Sequence, residues 1–314
     1  MKAKTDFPQT LIETVRYFSD PDTALGFMAG LRWPEGPVCP ECASKEYSFL
    51  STRRVWKCKE CKKQYTVKRG TIMEDSPIPL DKWLCAIWMI ANDKNGISSY
   101  EIHRGLGITQ KSAWFLLHRI RHAMKTGSFD KLSGQIEADE TFIGGKARNM
   151  HYSKRGKITG TGGSGKAIVM GMLERSGEVR TKVIEKRDSE TLQGEIREHV
   201  EPGSELMTDA YVGYQGLSAD YIHNVVNHAM EYVRGHIHTN GMENFWSLVK
   251  RALGGTYISV MPFHLFRYLD EQAFRYNHRK LNDCERFLIA CASMEGRRLT
   301  YDKLTGKTLM REAE

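Results

Sequence analysis

The chain has 314 residues, long enough for one sizeable core with one or two small domains beside it. Its 40 % hydrophobic and 27 % charged residues are ordinary for a globular protein, and the absence of an apolar run of roughly 18–20 residues sets a membrane span aside. The formal net charge of +8 points to an acidic partner, most commonly nucleic acid. Residues 1–7 carry no signal-peptide apolar stretch, and seven cysteines, four of them in two Cys-x-x-Cys pairs, do not read as a disulfide framework; a cytoplasmic protein is expected.

Residues 10–18 and 22–31 read as two short amphipathic helices split by Asp20-Pro21, and Trp33-Pro34 ends the second, closing an N-terminal segment over 1–34. Cys39-Pro-Glu-Cys42 and Cys58-Lys-Glu-Cys61 follow, fifteen residues apart. Each turn aims two thiolates at one point, and two turns complete a tetrahedron, so residues 35–70 are predicted to be a zinc ribbon with Cys39, Cys42, Cys58 and Cys61 on structural Zn²⁺. So small a hairpin buries little core, and metal binding would supply its folding energy. Strands are expected at 47–50 and 54–57. Nine Lys/Arg against three acids lie between Val38 and Gly70, and Arg53, Arg54 and Trp56 are candidates to meet a phosphate backbone; a solvated basic face on a structural knuckle is the alternative.

After a Pro-bearing linker, an apolar stripe of Trp83, Leu84, Ile87 and Trp88 marks a helix. Residues 98–104, a Gly105-Leu106-Gly107 turn and residues 109–124 then outline a helix-turn-helix within 71–126. The last helix is expected to expose Gln110, Lys111, Arg119, Arg121 and Lys125; a DNA-reading face and a plain helical hairpin both fit that pattern.

Gln135–Gly145 reads as a strand ending in a Gly pair, with Ile136, Ala138, Glu140 and Phe142 on one side and Glu137, Asp139 and Thr141 on the other. A carboxylate at mid-strand, as at Asp139, is costly unless positive charge stands beside it. Residues 146–166 form a basic loop that includes Lys154 and Arg155 and has no acid. Gly160–Lys166 imitates the start of a phosphate-binding loop, but Ala167 stands where Ser or Thr belongs and a strand follows instead of a helix, so no nucleotide is expected. A hairpin is predicted from 166–174 and 178–186, a helix at 189–200, a short strand at 205–208 ending in Asp209, a helical turn at 211–217 and a strand at 223–226. This α/β alternation suits a mixed sheet with helices on its faces.

In residues 236–251, Met242, Phe245, Trp246 and Val249 recur at helical spacing, and Glu243 sits at the edge of that buried stripe. Lys250 and Arg251 lie further along, near any bound phosphate. Asp139, Asp209 and Glu243 are read as gathering a divalent metal. The bland alternatives are a capping box at Asn240-x-x-Glu243, a helix cap at Asp209, and surface charges at Glu137 and Glu140.

The order Asp139, Asp209, Glu243, with 33 residues between the last two, resembles the DDE triad of transposases and integrases with an RNase H-like fold. With the ribbon, Glu-Ala-Asp139-Glu-Thr-Phe-Ile-Gly-Gly, Thr-Asp209-Ala-Tyr, His-Thr-Asn-x-x-Glu243-x-Phe-Trp-Ser-Leu and Tyr268-x-x-Glu271-x-x-x-Arg275-Tyr-Asn277, residues 31–282 resemble bacterial insertion-sequence transposases related to eukaryotic Merlin elements. The resemblance implies an α/β RNase H-like domain over 127–285 and a C-terminal tail over 286–314. It implies Mg²⁺ (or Mn²⁺) on Asp139, Asp209 and either Glu243 or Asn240; Glu243 is preferred because a carboxylate neutralises the cation better than an amide. It implies binding to the element's own terminal repeats, strand cleavage and transfer into target DNA, and a homodimer or larger synaptic assembly. The helix at 263–276 should pack behind the sheet, with Glu271 and Arg275 as an i,i+4 support pair. The other readings are a zinc-dependent DNA-binding regulator and a stand-alone RNase H-like nuclease.

Overall fold

The computed structural model describes residues 7–125, 130–145, 152–156, 163–175, 177–226 and 237–307, and the chain divides into two compact units: Met1–Lys125 with Lys280–Glu314, and Thr126–Arg279.

In the first unit, α1 (Leu11–Tyr17) opens on a capping box of Thr10 and Glu13, and α2 (Pro21–Arg32) on Asp20, which caps the Thr23 amide. The ribbon follows as the antiparallel sheet β1 (Tyr47–Leu50), β2 (Val55–Cys58) and β3 (Gln64–Tyr65). Next come α3 (Leu80–Asn92), α4 (Ser99–Leu106) and α5 (Gln110–Ala123). Helix α3 is apolar on nearly every side because it is the hub of the unit, with Trp83, Leu84, Ile87 and Ile90 almost wholly buried. Gly107, at φ +60°, ends α4 in the left-handed conformation that a residue without Cβ adopts freely, and Thr109 caps α5 two residues later.

The second unit holds β4 (Gln135–Ile143), the single turn α6 (Tyr152–Arg155), β5 (Ala167–Glu174), β6 (Val179–Ile184), α7 (Ser189–His199), β7 (Glu205–Asp209), β8 (Ile222–Val226), α8 (Asn240–Ala252) and α9 (Leu265–Asn277). The sheet order is β6-β5-β4-β7-β8, with β4, β5 and β6 antiparallel and β4, β7 and β8 parallel, an RNase H-like mixed sheet. Ile136, Ala138, Met172 and Leu206 meet Leu192 and Ile196 of α7 on one face. Val169 and Leu173 meet Met242, Phe245, Trp246 and Leu269 of α8 and α9 on the other. Alternation along β4 therefore distributes the strand between two cores, as the period of two requires. Helix α9 lies behind the sheet, and its buried Glu271 and Arg275 form the expected pair.

The tail expected over 286–314 is, through residue 307, part of a structured segment that begins at Lys280. This segment returns to the first unit as α10 (Asp283–Ala292) and α11 (Tyr301–Thr305). Helix α10 begins on a capping box of Asn282 and Glu285, and Phe287 stacks on Phe27 at 5.8 Å and lies 5.3 Å from Trp88. Among the described residues, no helix is long and apolar enough to cross a membrane.

Candidate metal centres and acid cluster

The four ribbon cysteines bring their sulfurs together, with Cys39 Sγ 3.6 Å from Cys61 Sγ and Cys42 Sγ 3.6 Å from Cys58 Sγ. A tetrahedron with Zn–S bonds of about 2.3 Å has edges of about 3.8 Å, so the set fits a structural zinc. Burial pushes the Cys58 thiol up, but the Cys61 and Glu60 amides and the neighbouring thiols more than offset it and bring its pKa to about 6, toward the thiolate a metal takes. Arg53 and Arg54 are exposed beside the ribbon, and Arg54 Nε donates to Asp22 Oδ1 at 2.6 Å. Trp56 is not available to a backbone: it is 5 % exposed, with its ring 5.1 Å from Trp33 and 6.1 Å from Tyr65.

Helix α5 differs from its expected polar face. Lys111 and Lys125 are exposed, but Arg119 and Arg121 are buried. Arg119 donates from Nε to the Leu299 carbonyl at 3.1 Å and from Nη1 to the Glu74 carbonyl at 2.8 Å, and its guanidinium lies 4.3 Å from the Phe115 ring. The long stem and planar head suit an internal strut, which a sequence pattern reads as surface charge.

In the second unit, β4 and β7 run parallel and pair at Gln135–Glu205, Ile136–Leu206 and Glu137–Met207. Just past this last pair stand Asp139, Glu140 and Asp209, whose carboxylates each offer an oxygen within 4.8 Å of the others. The carboxyl ends of parallel strands are where open α/β sheets hold ligands. Asp139 turns to the α8 face, where Trp246 Nε1 donates to its Oδ2 at 3.1 Å. Glu140 turns to the α7 face, where its Oε2 accepts from Arg187 Nη2 at 3.0 Å; the same nitrogen lies 3.4 Å from Asp209 Oδ2. The Arg187 guanidinium lies 3.6 Å from the Tyr211 ring centroid, and the Tyr211 hydroxyl donates to the Arg187 carbonyl at 2.7 Å. Asp209 also caps locally, accepting the Tyr211 amide at Oδ1 at 3.0 Å, so the cap and the cluster share one side chain.

Crowding sets the electrostatics. Burial, then Glu140, then Asp209 push the Asp139 carboxyl up to about 7. Burial also raises Glu140, against the Tyr214 hydroxyl and Arg187, which hold it down. Glu140 Oε1 and the Tyr214 hydroxyl are both buried. Three hard oxygen donors that repel one another, with Arg187 the arginine that meets them among the described residues, make a set that fits a hard divalent cation.

Glu243 and Asn240 lie in the first turn of α8, both exposed, and Glu243 is not one of the close group of Asp139, Glu140 and Asp209. The anticipated capping box at Asn240 and Glu243 does not form, because the N-cap position is Thr239 and Asn240 is already helical. The helix is nonetheless tied to the cluster through Trp246, one turn after Glu243. Gly171, opposite Asp139 in the β4–β5 ladder, makes room for this contact: a Cβ there would lie 2.6 Å from Trp246 Cζ2 and 2.3 Å from Met242 Cε. Lys250 and Arg251 are exposed in the last turn of α8. The side chains of Lys154 and Arg155 lie outside the described residues, as do residues 160–162 of the Gly160–Lys166 segment; Gly163–Gly165 turn directly into β5.

The sequence pattern thus places Asp139 and Asp209 together and misses Glu140, Arg187 and Trp246. Glu140 follows Asp139 immediately, and its place on the otherwise apolar Ile136-Ala138 side of the strand was a signal of burial. Glu137, another residue open to reading as surface charge, is 1 % exposed.

An RNase H-like sheet with acids clustered past its parallel strands fits the class of DDE transposases. Residues 131–277 match the family described as ISXO2-like transposase domain, of the IS1595 type, and residues 19–64 match the transposase zinc-ribbon domain of that type. A protein described as uncharacterized in transposable element ISH50 of Halobacterium salinarum is 24 % identical over 253 residues, 76 % of this chain and 85 % of its own length. An uncharacterized transposase-like protein of Haemophilus influenzae is 32 % identical over 105 residues, 33 % of this chain and 85 % of its own length. The chain belongs to the insertion-sequence transposases, with an N-terminal zinc ribbon and a DDE domain.

Proposed function

We propose that the chain binds the terminal inverted repeats of its own insertion sequence and catalyses metal-dependent strand cleavage and strand transfer into target DNA. The observation that carries this reading is the convergence of Asp139, Glu140 and Asp209 within 4.8 Å at the end of the parallel strands. A regulator that only binds DNA has no use for carboxylates held at this electrostatic cost.

Asp139 and Asp209 are the residues to hold Mg²⁺ or Mn²⁺, with Glu243, or Asn240 one turn before it, closing the site from α8. Glu140 has no side-chain exposure and is committed to Arg187, so it acts from behind the cluster, whereas Glu243 stands exposed in the first turn of α8. The cation, when bound, supplies charge relief on the scissile phosphate and acidifies the attacking hydroxyl or water. Trp246 orients the Asp139 carboxylate, and Arg187 orients Asp209. Water displaces the 3′-oxygen at the element end and leaves a 3′-hydroxyl. That hydroxyl then attacks a target phosphodiester, displacing the target's own 3′-oxygen, so no covalent protein–DNA link is needed.

DNA ends would be gripped by the ribbon through Arg53 and Arg54, by α5 through Lys111, and by Lys154, Arg155, Lys250 and Arg251 along the phosphates. Arg119 is better read as part of the fold. Pairing two ends calls for a homodimer or larger assembly. The test is a labelled duplex bearing the element end, incubated with Mg²⁺ and a target plasmid. Wild type should cleave and join, and Asp139→Ala should do neither while still binding the end. Cleavage without joining would indicate a nuclease, and a cutting Asp139→Ala protein would refute the assignment.

A further inference from the structure

The buried Glu137 stands two residues before Asp139 on the same strand face, and its carboxylate is bonded elsewhere than to the acid cluster that the proposed function requires. Its Oε1 accepts from Arg175 Nε at 2.8 Å and lies 3.4 Å from His238 Nδ1. Its Oε2 accepts the backbone amide of Met242 at 3.0 Å. That amide belongs to the first turn of α8, whose N–H groups have no partner within the helix. The cap therefore comes from a facing strand, where a carboxylate is also favoured by the helix dipole. Arg175 fastens the lead-in to the helix as well, donating from Nη2 to the His238 carbonyl at 2.9 Å. Gly241 permits the approach: a Cβ there would lie 2.8 Å from Glu137 Oε2 and 2.5 Å from Leu173 Cδ2.

We propose that Glu137 is a positioning residue which, with Arg175, pins the N-terminus of α8 to β4 and thereby sets the reach of Glu243 and Asn240, and of Trp246, toward the metal-holding carboxylates. The inference rests on the proposed function for its metal and on contacts within the chain for its geometry. Strand β4 then carries both parts of the device on one face. Asp139 offers the oxygen, and Glu137, one pleat earlier, fixes the helix that completes the site.

The experiment uses zinc-loaded full-length protein with Glu137→Gln, Glu137→Ala and, as a route that leaves the carboxylate in place, Gly241→Ala. Hydrogen exchange of the 240–247 amides is read without Mn²⁺, and Mn²⁺ binding is read by calorimetry, with Asp139→Asn as the control that removes the site. Glu137→Ala should speed exchange in the first turn of α8 about tenfold and weaken Mn²⁺ binding about tenfold, the lower end of what losing a residue that orients a ligand costs. Glu137→Gln keeps an acceptor for the Met242 amide and should recover part of both losses. Gly241→Ala should mimic Glu137→Ala. Unchanged exchange overturns the proposal, as does faster exchange with unchanged Mn²⁺ affinity, which would leave Glu137 a structural cap only. Wild-type protein that takes up no Mn²⁺ overturns the enzymatic reading and this inference with it, a result separable from either of those.

Discussion

Replacing Asp139 by Asn should stabilise the metal-free protein at alkaline pH and leave it unchanged in acid. Asn keeps an oxygen for Trp246 Nε1 and removes the charge. The Asp139 carboxyl is raised from 3.8 to about 7 by burial and by its acidic neighbours. A carboxyl with a raised folded pKa binds more protons in the native state than in the unfolded one, so stability falls as pH climbs from about 4 to about 7 and stays low above. About three units at 1.4 kcal/mol each put the burden on the order of 4 kcal/mol at pH 8, and near zero at pH 4. Global hydrogen exchange of β4 and β5 amides reads the second unit alone, corrected for intrinsic rates at each pH. Asp139→Asn should gain about 2–4 kcal/mol at pH 8, and Mg²⁺ should stabilise wild type but not the variant. A variant equally or less stable than wild type at pH 8, or one whose advantage does not shrink toward pH 4, refutes the crowded-acid account.

Gly171→Ala should cost about 1–3 kcal/mol through overpacking against Trp246, although replacing a mid-strand glycine ordinarily helps; urea denaturation of the second unit checks the sign. Arg187→Gln should cost about 3–5 kcal/mol by leaving the Glu140 carboxylate buried without its cation, and thermal unfolding reads it. Zinc removal by a chelator should collapse the β1–β3 ribbon and abolish binding to element ends, with recovery on adding Zn²⁺; ribbon amides that remain protected would contradict the metal's role in folding.

Patterns that rest on spacing alone were legible. The two Cys-x-x-Cys turns, the alternation in β4 and the apolar stripe of α8 each reflect a local geometric period, and each appears in the fold as expected. What escaped depends on partners far along the chain. Arg119 reads as exposed because nothing in its helix announces the carbonyls of Leu299 and Glu74 that receive it. Arg187 sits in a polar connection, and only the approach of β4 to β7 brings Glu140 and Asp209 to it. Helix α10 is a different case. Its capping box at Asn282 and Glu285 and its Phe287-Ala290-Cys291 stripe are local signals of a helix, but the resemblance ends at residue 282 and says nothing of where that helix packs. The third acid shows the limit of spacing: Glu243 has the right separation from Asp209, yet Glu140 is the carboxylate that stands closest.

The measurement that bears most directly on the central claim is anomalous scattering from crystals of the full chain grown with Mn²⁺. The account predicts a peak bridging Asp139 and Asp209 at ligand distance, with a third oxygen from α8 at Glu243 or Asn240 and Glu140 still on Arg187. Manganese found elsewhere, or none between those two aspartates in well-ordered crystals, would contradict it.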